Sequence, residues 1–338
     1  MLLRRAIILS LIALCFAVLA CGRSAQPQVA SRARASFATW VGRAHVRGIV
    51  DLSSQRADGS IVIAAAGRLK TLGSAGRIGS FAHAYSAPPG LEPYIAQSSG
   101  QRVPGMSCSF PANDLYALRL NHGDGVTIIE PGGVVRRFAR LPSRGLENGI
   151  AFDRTGRFGH RLLVTSSLYG HTTVYAIDCD GRVRVLTRAA PRIEGGIAVA
   201  PTSFGHFAGD LIAPDEISGG IYAIAPHGRA TLIARSGLAH GQDIGVESEG
   251  FVPARFTAAL VADRLTRRNR HPGDDEILTI GRARLLAAGV RPGDLIAVTE
   301  GGADTVAVRC AASCDVHTVA NGPSEAHIEG HVVFSASP

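Results

Sequence analysis

Short apolar runs separated by turn residues make up most of the chain. Across residues 194–234, four of them follow one another, beginning at Gly196, Asp210, Gly220 and Ala230. Each run is rich in β-branched residues and is bounded by Gly, Pro or Asp, which is the pattern of strands joined by turns. Four antiparallel strands in about forty residues form one blade of a β-propeller.

The preceding stretch repeats this pattern through its turn residues. The segment that begins at Glu147 matches the one that begins at Glu194, and the two are 194 − 147 = 47 residues apart. A spacing of this size is typical of propeller blades. The sequence therefore predicts an all-β fold, a propeller of six four-stranded blades. Five blades are the alternative, because residues 255–293 are irregular.

The two ends of the chain are expected to close the ring. The last apolar run, from His327 to Phe334, is patterned like the first strand of a blade, yet few residues follow it. We expect this run to be the inner strand of the blade whose outer strands come from residues 59–84. Such closure removes exposed strand edges.

The N-terminal residues have the features of an export signal. A basic head is followed by an apolar run over residues 6–20, which is shorter than the about 20 residues of a membrane span. Val18-Leu-Ala-Cys21 resembles the lipobox of bacterial lipoproteins, in which the cysteine after the cleaved signal is lipidated. An ordinary signal peptide is the alternative. We expect a signal at 1–20, a lipid-anchored tether at 21–47 and the propeller at 48–338, on the extracytoplasmic side of a cell membrane.

The positive charge is concentrated in the first fifty residues. The formal net charge is +8, and this segment contains no acid and seven arginines: Arg4, Arg5, Arg23, Arg32, Arg34, Arg43 and Arg47. The rest of the chain therefore sums to 8 − 7 = +1. A nearly neutral body argues against a nucleic-acid partner. A basic tether suits anionic lipid headgroups, so the membrane is the expected partner, and the oligomeric state stays open.

The cysteines are consistent with an oxidising compartment. Without Cys15 in the signal and Cys21 on the lipid, an even number of four remains. We expect two disulfides, and the favoured pairing joins the following residues: Cys310 with Cys314, and Cys108 with Cys179. Cross-pairing and a metal site are the alternatives, although a metal site would want more ligands at compact spacing.

An acid recurs at the start of the predicted inner strands. It is found at five positions: Glu92, Glu147, Glu194, Glu249 and Glu329. Because inner strands line the axis of a propeller, these carboxylates are expected to converge at one end of it. Crowded carboxylates raise one another's pKa unless a cation joins them, and oxygen ligands suit Ca²⁺. The alternative is that each glutamate only binds the backbone of the neighbouring blade.

The site predicted from this pattern is a polar funnel that binds calcium or another divalent cation. Its expected metal ligands are Glu92, Asn148, Glu194, Glu249 and Glu329. Its expected ligand-binding residues are Glu147, His327 and His331, because period-2 alternation places His327, Glu329 and His331 on one face of the last strand. Two further acids, Asp243 and Glu247, are interpreted as solvated loop residues.

The strand openings at Asn148 and Glu194, with their Ile-Tyr-Ala-Ile hairpins, resemble the gluconolactonase–regucalcin type of six-bladed propeller. This resemblance covers most of residues 90–254. It implies one axial divalent cation and hydrolysis of sugar lactones or esters. Asn148 matches an asparagine ligand of that family, Glu194 stands at the position of an aspartate, and Glu329 or Glu92 would supply the first acid. The family's second asparagine and its Glu-Gly-Pro opening have no counterpart.

Three functions follow as alternatives. The first is an anchored propeller that binds a cation and a small polar ligand, with hydrolysis of a lactone or ester carried by Glu194 and Glu329. The cation would polarise the carbonyl and activate a water. The second is a non-catalytic propeller that binds a surface ligand or acts as a scaffold. The third is a quinone-dependent sugar dehydrogenase.

Overall fold

The computed structural model describes residues 37–88, 91–119, 125–142 and 145–336. These residues form six sheets, each with four antiparallel strands, and a short parallel strand is added to one of them. The predicted fold class is confirmed as a six-bladed β-propeller, and the five-bladed alternative is wrong. Residues 1–36, including Cys21, lie outside the described residues. Blades are numbered 1 to 6 in the order of their inner strands along the chain.

Blades 1 and 2 follow the chain directly from the inner to the outer strand. Blade 1 consists of β3 (Ile49–Leu52), β4 (Ile61–Ala65), β5 (Arg68–Leu72) and β6 (Ile78–Phe81). Blade 2 consists of β7 (Ile95–Gln97), β8 (Leu115–Leu118), β9 (Gly125–Ile129) and β10 (Val135–Arg140). The first two strands, β1 (Ala38–Thr39) and β2 (Val41–His45), belong to other blades.

Blades 3 and 4 are the repeat recognised in the sequence. Blade 3 consists of β11 (Leu146–Phe152), β12 (Leu162–Leu168), β13 (His171–Ile177) and β14 (Val183–Pro191). Blade 4 consists of β15 (Ala198–Val199), β16 (Leu211–Asp215), β17 (Gly220–Ile224) and β18 (Ala230–Arg235), with a 3₁₀ turn at Gly205–Phe207. In both blades the four strands follow one another along the chain in the same order as in the sheet, from the inner strand to the outer strand.

Blades 5 and 6 are interleaved along the chain. Blade 5 consists of β19 (Val246–Phe251), β22 (Leu295–Thr299), β23 (Thr305–Cys310) and β24 (Cys314–Asn321), with β1 added in parallel at its edge. Blade 6 consists of β25 (Ile328–Ser335), β20 (Ala258–Asp263), β21 (Glu276–Gly281) and β2. After β19 the chain builds β20 and β21 of blade 6, and returns through α1 (Arg282–Ala287) to blade 5.

This interleaving corrects the predicted position of the last strand. Strand β25 is an inner strand, but it pairs with β20, where Glu329 lies opposite Ala262. Blade 1 has its own inner strand β3, in which Asp51 lies opposite Ala64. Closure by the two chain ends is confirmed in another form, because β2 and β25 are the outer and inner strands of blade 6.

The propeller also begins earlier than expected, inside the predicted tether. Trp40, between β1 and β2, is buried, and its Nε1 donates to Thr305 Oγ1 at 2.8 Å. The side chains of β2 are mostly exposed, since β2 is an edge strand, and this explains why no apolar run marked it. Within the described residues, no helix has the length and apolar character needed to cross a membrane.

Apolar side chains fill each of the six interfaces between neighbouring blades. Between blades 2 and 3, Phe110, Tyr116 and Phe152 pack edge to face with ring centroids 5.0–5.6 Å apart. Both predicted disulfides are formed: Cys108–Cys179 bridges the loop before β8 to the end of β13, and Cys310–Cys314 closes the hairpin between β23 and β24. The first disulfide therefore links two blades covalently.

Candidate functional site: the axial acid cluster

Glycine lets the inner strands approach one another closely at the axis. A Cβ on Gly196 would lie 2.3 Å from the carbonyl oxygen of Gly330, and a Cβ on Gly195 would lie 2.1 Å from Cγ of Glu247. Gly195 also has a φ of +83°, which side chains rarely adopt. The glycines that follow the acids therefore serve close packing, and the acids are held at one end of the axis.

Carboxylates gather at the end of the axis where the inner strands begin. We call this group the axial acid cluster, and it consists of Glu92, Glu216, Glu247, Glu300 and Glu329. Inner-strand segments supply three of these acids, while Glu216 and Glu300 directly follow the second strands of blades 4 and 5. Three cationic side chains approach the cluster: Arg264 after β20, His327 before β25, and Arg192, which lies 3.9 Å from Glu216.

Glu329 is the most heavily bonded member. Its carboxylate accepts from Arg264 Nη1 at 3.0 Å, the Tyr94 hydroxyl oxygen lies 3.0 Å away, and His327 Nε2 lies 3.3 Å away. The same Arg264 nitrogen donates to Glu92. Burial alone would raise the pKa of Glu329, but the hydrogen bond from His327 and the charge of Arg264 outweigh it and hold that pKa below its usual range.

His327 is a cation in this setting. Its Nε2 lies 3.0 Å from Glu300 Oε1, and the ring is buried. Burial would lower the pKa of His327, but hydrogen bonds to Glu300 and Glu329 raise it to about 10. At neutral pH the imidazole is therefore protonated on both ring nitrogens, and its Nε2–H group faces the carboxylates of Glu300 and Glu329.

The other four acids have raised pKa values, and burial is the first cause in each case. Burial and the charge of Glu329 raise the pKa of Glu92 to about 7. Burial and the charge of Glu300 raise the pKa of Glu216 to about 9. The pKa values of Glu247 and Glu300 are also raised, that of Glu247 well above its usual range. The cluster thus holds more buried carboxylates than its cations neutralise.

Two groups of side chains have the geometry to hold a metal ion. Glu216, Asp243 and Glu300 place one oxygen each within 4.8 Å of one another, and Glu300, His327 and Glu329 do the same with a ring nitrogen included. Glu300 belongs to both. Asp243 is exposed, so the first group is open to solvent, whereas the second is buried and internally hydrogen-bonded.

The predicted ligands do not form a single cage. The structure brings Glu92, Glu329 and His327 together around Arg264 and the buried acids. Glu194 lies at the edge of the cluster, because its partner Arg192, at 2.7 Å, also approaches Glu216 at 3.9 Å.

Asn148 and Glu147 are on β11 and are buried. The Asn148 amide is used inside the blade pair: Nδ2 donates to Ser167 Oγ at 3.0 Å and to the Ile193 carbonyl, and Oδ1 accepts from Thr165 at 3.1 Å. These bonds use both amide protons and one lone pair of the oxygen, which favours a structural role for Asn148.

Glu249 and His331 are separated from the cluster. In blade 5, Glu249 lies opposite Ala297, and the equivalent residue of blade 3 is Ile150, which lies opposite Val164. Glu249 therefore occupies a position of the inner strand that is apolar in blade 3. His331 follows Gly330, whose φ of +69° and the register shift beside it break the expected alternation. Its Nδ1 pairs with Asp51 Oδ2 at 3.0 Å. 

No family model and no curated protein matches this chain. Similar solved structures include a calcium-binding regucalcin from Agrobacterium tumefaciens, with 13% identity over 88% of this chain and 83% of that chain, and a TM-score of 0.51. A nidogen/laminin complex has 12% identity, 86% coverage of both chains and a TM-score of 0.52. Virginiamycin B lyase from Staphylococcus aureus has 11% identity, 82% and 73% coverage and a TM-score of 0.47. What is shared is the fold.

The propeller contains cluster members that the sequence analysis missed. Glu216 and Glu300 end two closely matching segments, Asp210-Leu-Ile-Ala-Pro-Asp-Glu and Asp294-Leu-Ile-Ala-Val-Thr-Glu. This repeat is a signal visible in the sequence, but it lies on second strands, whereas the recurring acid that predicted the site lies on inner strands. The prediction that Glu247 is a solvated loop acid is wrong, because Glu247 is buried at the axis.

Proposed function

We propose that this protein binds a divalent cation at the axial acid cluster and prefers calcium to magnesium. A small polar ligand would bind to the cation at the same place. The observation that carries the proposal is the excess of carboxylates: five acids, four of them buried, are gathered against three cationic side chains, Arg264, His327 and Arg192. Buried charges are stable when they are paired or bound to metal. A divalent cation would supply the missing positive charge.

The favoured position is the group of Glu216, Asp243 and Glu300. All three offer oxygen, the ligand type that Ca²⁺ prefers, and calcium accepts the irregular geometry that magnesium does not. Glu216 Oε1 is buried and has no hydrogen-bond partner among the described residues. The exposed Asp243 leaves a side from which water or a ligand can reach the cation. A calcium-binding regucalcin of the same fold is consistent with this assignment.

The bound ligand would carry hydroxyl or carbonyl groups, because these complete the oxygen shell of calcium. If the ligand is a sugar lactone or ester, the cation would polarise its carbonyl. Glu92, half-buried with a pKa of about 7, is suited to accept a proton from the attacking water. Glu194, expected from the sequence to be catalytic together with Glu329, lies beside Arg192 at the rim and is the second candidate for the base.

Calcium titration of the purified protein tests the cation site. We expect saturable heat with one equivalent of Ca²⁺, a higher Tm through preferential binding to the folded state, and weaker binding of Mg²⁺. Glu300→Gln and Glu216→Gln should each lose most of the calcium affinity. Glu130→Gln, on an exposed hairpin paired with Arg136, is the matched control and should bind calcium like the wild type. A wild-type protein without calcium-dependent heat or stabilisation would overturn the proposal.

An assay with an aldonolactone, with and without calcium, separates binding from catalysis. Calcium-dependent hydrolysis that Glu92→Gln removes while calcium affinity is retained would support the hydrolase. Calcium binding without turnover would leave the non-catalytic binding propeller.

We also propose that the chain is exported and anchored through lipid on Cys21, as the lipobox resemblance implies. Cys21→Ser should release the protein to the medium or leave its signal uncleaved, because the thiol is the site of the lipid. Unchanged incorporation of labelled lipid into the Cys21→Ser protein would refute the anchor.

A further inference from the structure

A cavity of about 770 Å³ opens at the other end of the axis, where the inner strands finish. This volume lies within the range of about 300–1,000 Å³ that is typical of small-molecule binding sites. The inner strands of all six blades contribute to its wall, and partly exposed apolar side chains such as Ala96, Val199, Phe251 and Phe334 face it. The cavity therefore offers an apolar chamber on the axis of the propeller.

Side chains between the two ends close the axis. His331 pairs with Asp51 of blade 1, and its Nε2 lies 3.0 Å from the Ile150 carbonyl oxygen of blade 3. The ring of Tyr94 lies edge-on to that of His331, with centroids 6.3 Å apart, and its hydroxyl reaches the acid cluster. The cavity is thus a site separate from the axial acid cluster.

The mouth of the cavity is basic, in contrast to the acidic end. Two exposed arginines, Arg154 and Arg255, line it, and Arg255 also borders a neighbouring cavity with Arg282. Among the described lining residues, Glu249 is the single acid. It is fully buried with no hydrogen-bond partner among the described residues, and burial raises its pKa well above the usual range, which favours the uncharged form.

We propose that this cavity binds a single-chain amphiphilic anion, such as a fatty acid carboxylate. Its alkyl chain would fill the apolar chamber, and its carboxylate would lie between Arg154 and Arg255 at the mouth. A cationic amphiphile would be repelled by the same two arginines, and a neutral amphiphile would not be attracted by their charge. The arrangement of apolar walls and basic mouth therefore selects for the sign of the head group.

Titration with three probes of equal chain length tests the proposal: decanoate, decanol and decyltrimethylammonium. The full chain with Cys21→Ser is used, so that no attached lipid competes, and decanoate is kept below its micellar concentration. We expect one decanoate per protein with a Kd about tenfold below that of decanol, since each exposed arginine contributes up to about 1 kcal/mol to pairing. Decyltrimethylammonium should bind more weakly than decanol.

Surface variants locate the site without disturbing the fold. Arg154→Gln and Arg255→Gln should each weaken decanoate by about threefold or more and leave decanol unchanged. Arg137→Gln, an exposed arginine on the outer strand β10, is the matched control and should change neither. Ala198→Phe, on the wall of the cavity, should weaken both probes, with its melting curve checked first.

Three results would overturn the proposal: no saturable binding of decanoate, equal affinity for all three head groups, or an effect of Arg137→Gln as large as that of Arg154→Gln. None of these depends on the calcium site.

Discussion

Tyr94 and Glu247 lie on opposite blades and meet across the axis, where the Tyr94 hydroxyl donates to Glu247 Oε1 at 2.6 Å. Blade 2 supplies the tyrosine and blade 5 the glutamate. The same hydroxyl lies 3.0 Å from Glu329 Oε2 of blade 6, so one phenol joins three of the six blades. This contact fixes the inner strands relative to one another at the floor of the acid cluster.

Tyr94→Phe should therefore be costly. The ring would still pack, but buried Glu247 would lose its donor, and leaving a buried polar group unsatisfied costs about 1–3 kcal/mol. Denaturant unfolding gives the change in free energy. Tyr85→Phe is the matched control, because the Tyr85 hydroxyl is buried and has no partner among the described residues. Equal losses from the two variants would show that the contact between Tyr94 and Glu247 contributes nothing.

Replacing Glu249 should stabilise the protein in a pH-dependent way. Burial raises the folded-state pKa of Glu249 well above its usual range. Above about pH 4.3 the unfolded chain loses this proton while the folded state keeps it, so the free energy of unfolding falls by about 1.4 kcal/mol per pH unit. Glu249→Ile, which copies the residue at the same register in blade 3, removes that penalty.

The stabilisation by Glu249→Ile relative to the wild type should therefore be larger at pH 8 than at pH 5, as measured by urea unfolding at both values. Glu249→Gln serves as the comparison, because it removes the titration without adding apolar surface. A difference between Glu249→Ile and the wild type that does not change with pH would contradict the prediction.

The two disulfides should differ in what they contribute. They span 71 and 4 residues of sequence. By loop-closure entropy, the longer cross-link stabilises by about 4 kcal/mol and the shorter by about 2 kcal/mol. Thermal unfolding of Cys108→Ala/Cys179→Ala and Cys310→Ala/Cys314→Ala compares them, and a larger loss from the second pair would be the contrary result.

Local pattern predicted much of the fold, and non-local pairing accounts for most of the rest. Blades 3 and 4 were found because their strands and turns follow one another within a repeat of 47 residues. The exchange between blades 5 and 6 was missed, since β22 pairs with β19 across an insertion that belongs to another sheet. Edge strands β1 and β2 were missed because exposed residues give them no apolar run.

The sequence predicted an acidic site at one end of the axis, but it predicted only some of the residues that form this site. A recurring acid at the inner strands does lead to Glu92 and Glu329 at one end of the axis. Register decides the others: a bulge at Gly330 turns His331 away, and Glu249 takes an apolar position of its strand. Spacing alone could not reveal that Arg264 would enter between two of the predicted ligands.

Removing the last strand tests the closure of the ring. Deletion of residues 326–338 removes β25, so that β20 and the neighbouring inner strands lose their axial partner, and the acid cluster loses His327 and Glu329. Unpaired buried backbone groups cost about 1–3 kcal/mol each, against a total stability of about 5–15 kcal/mol. The shortened chain should therefore fail to fold or should aggregate, as judged by soluble yield and thermal melting. Deletion of residues 337–338 alone leaves β25 whole and is the control. If the longer deletion stays soluble and melts cooperatively, blade 6 does not depend on its inner strand.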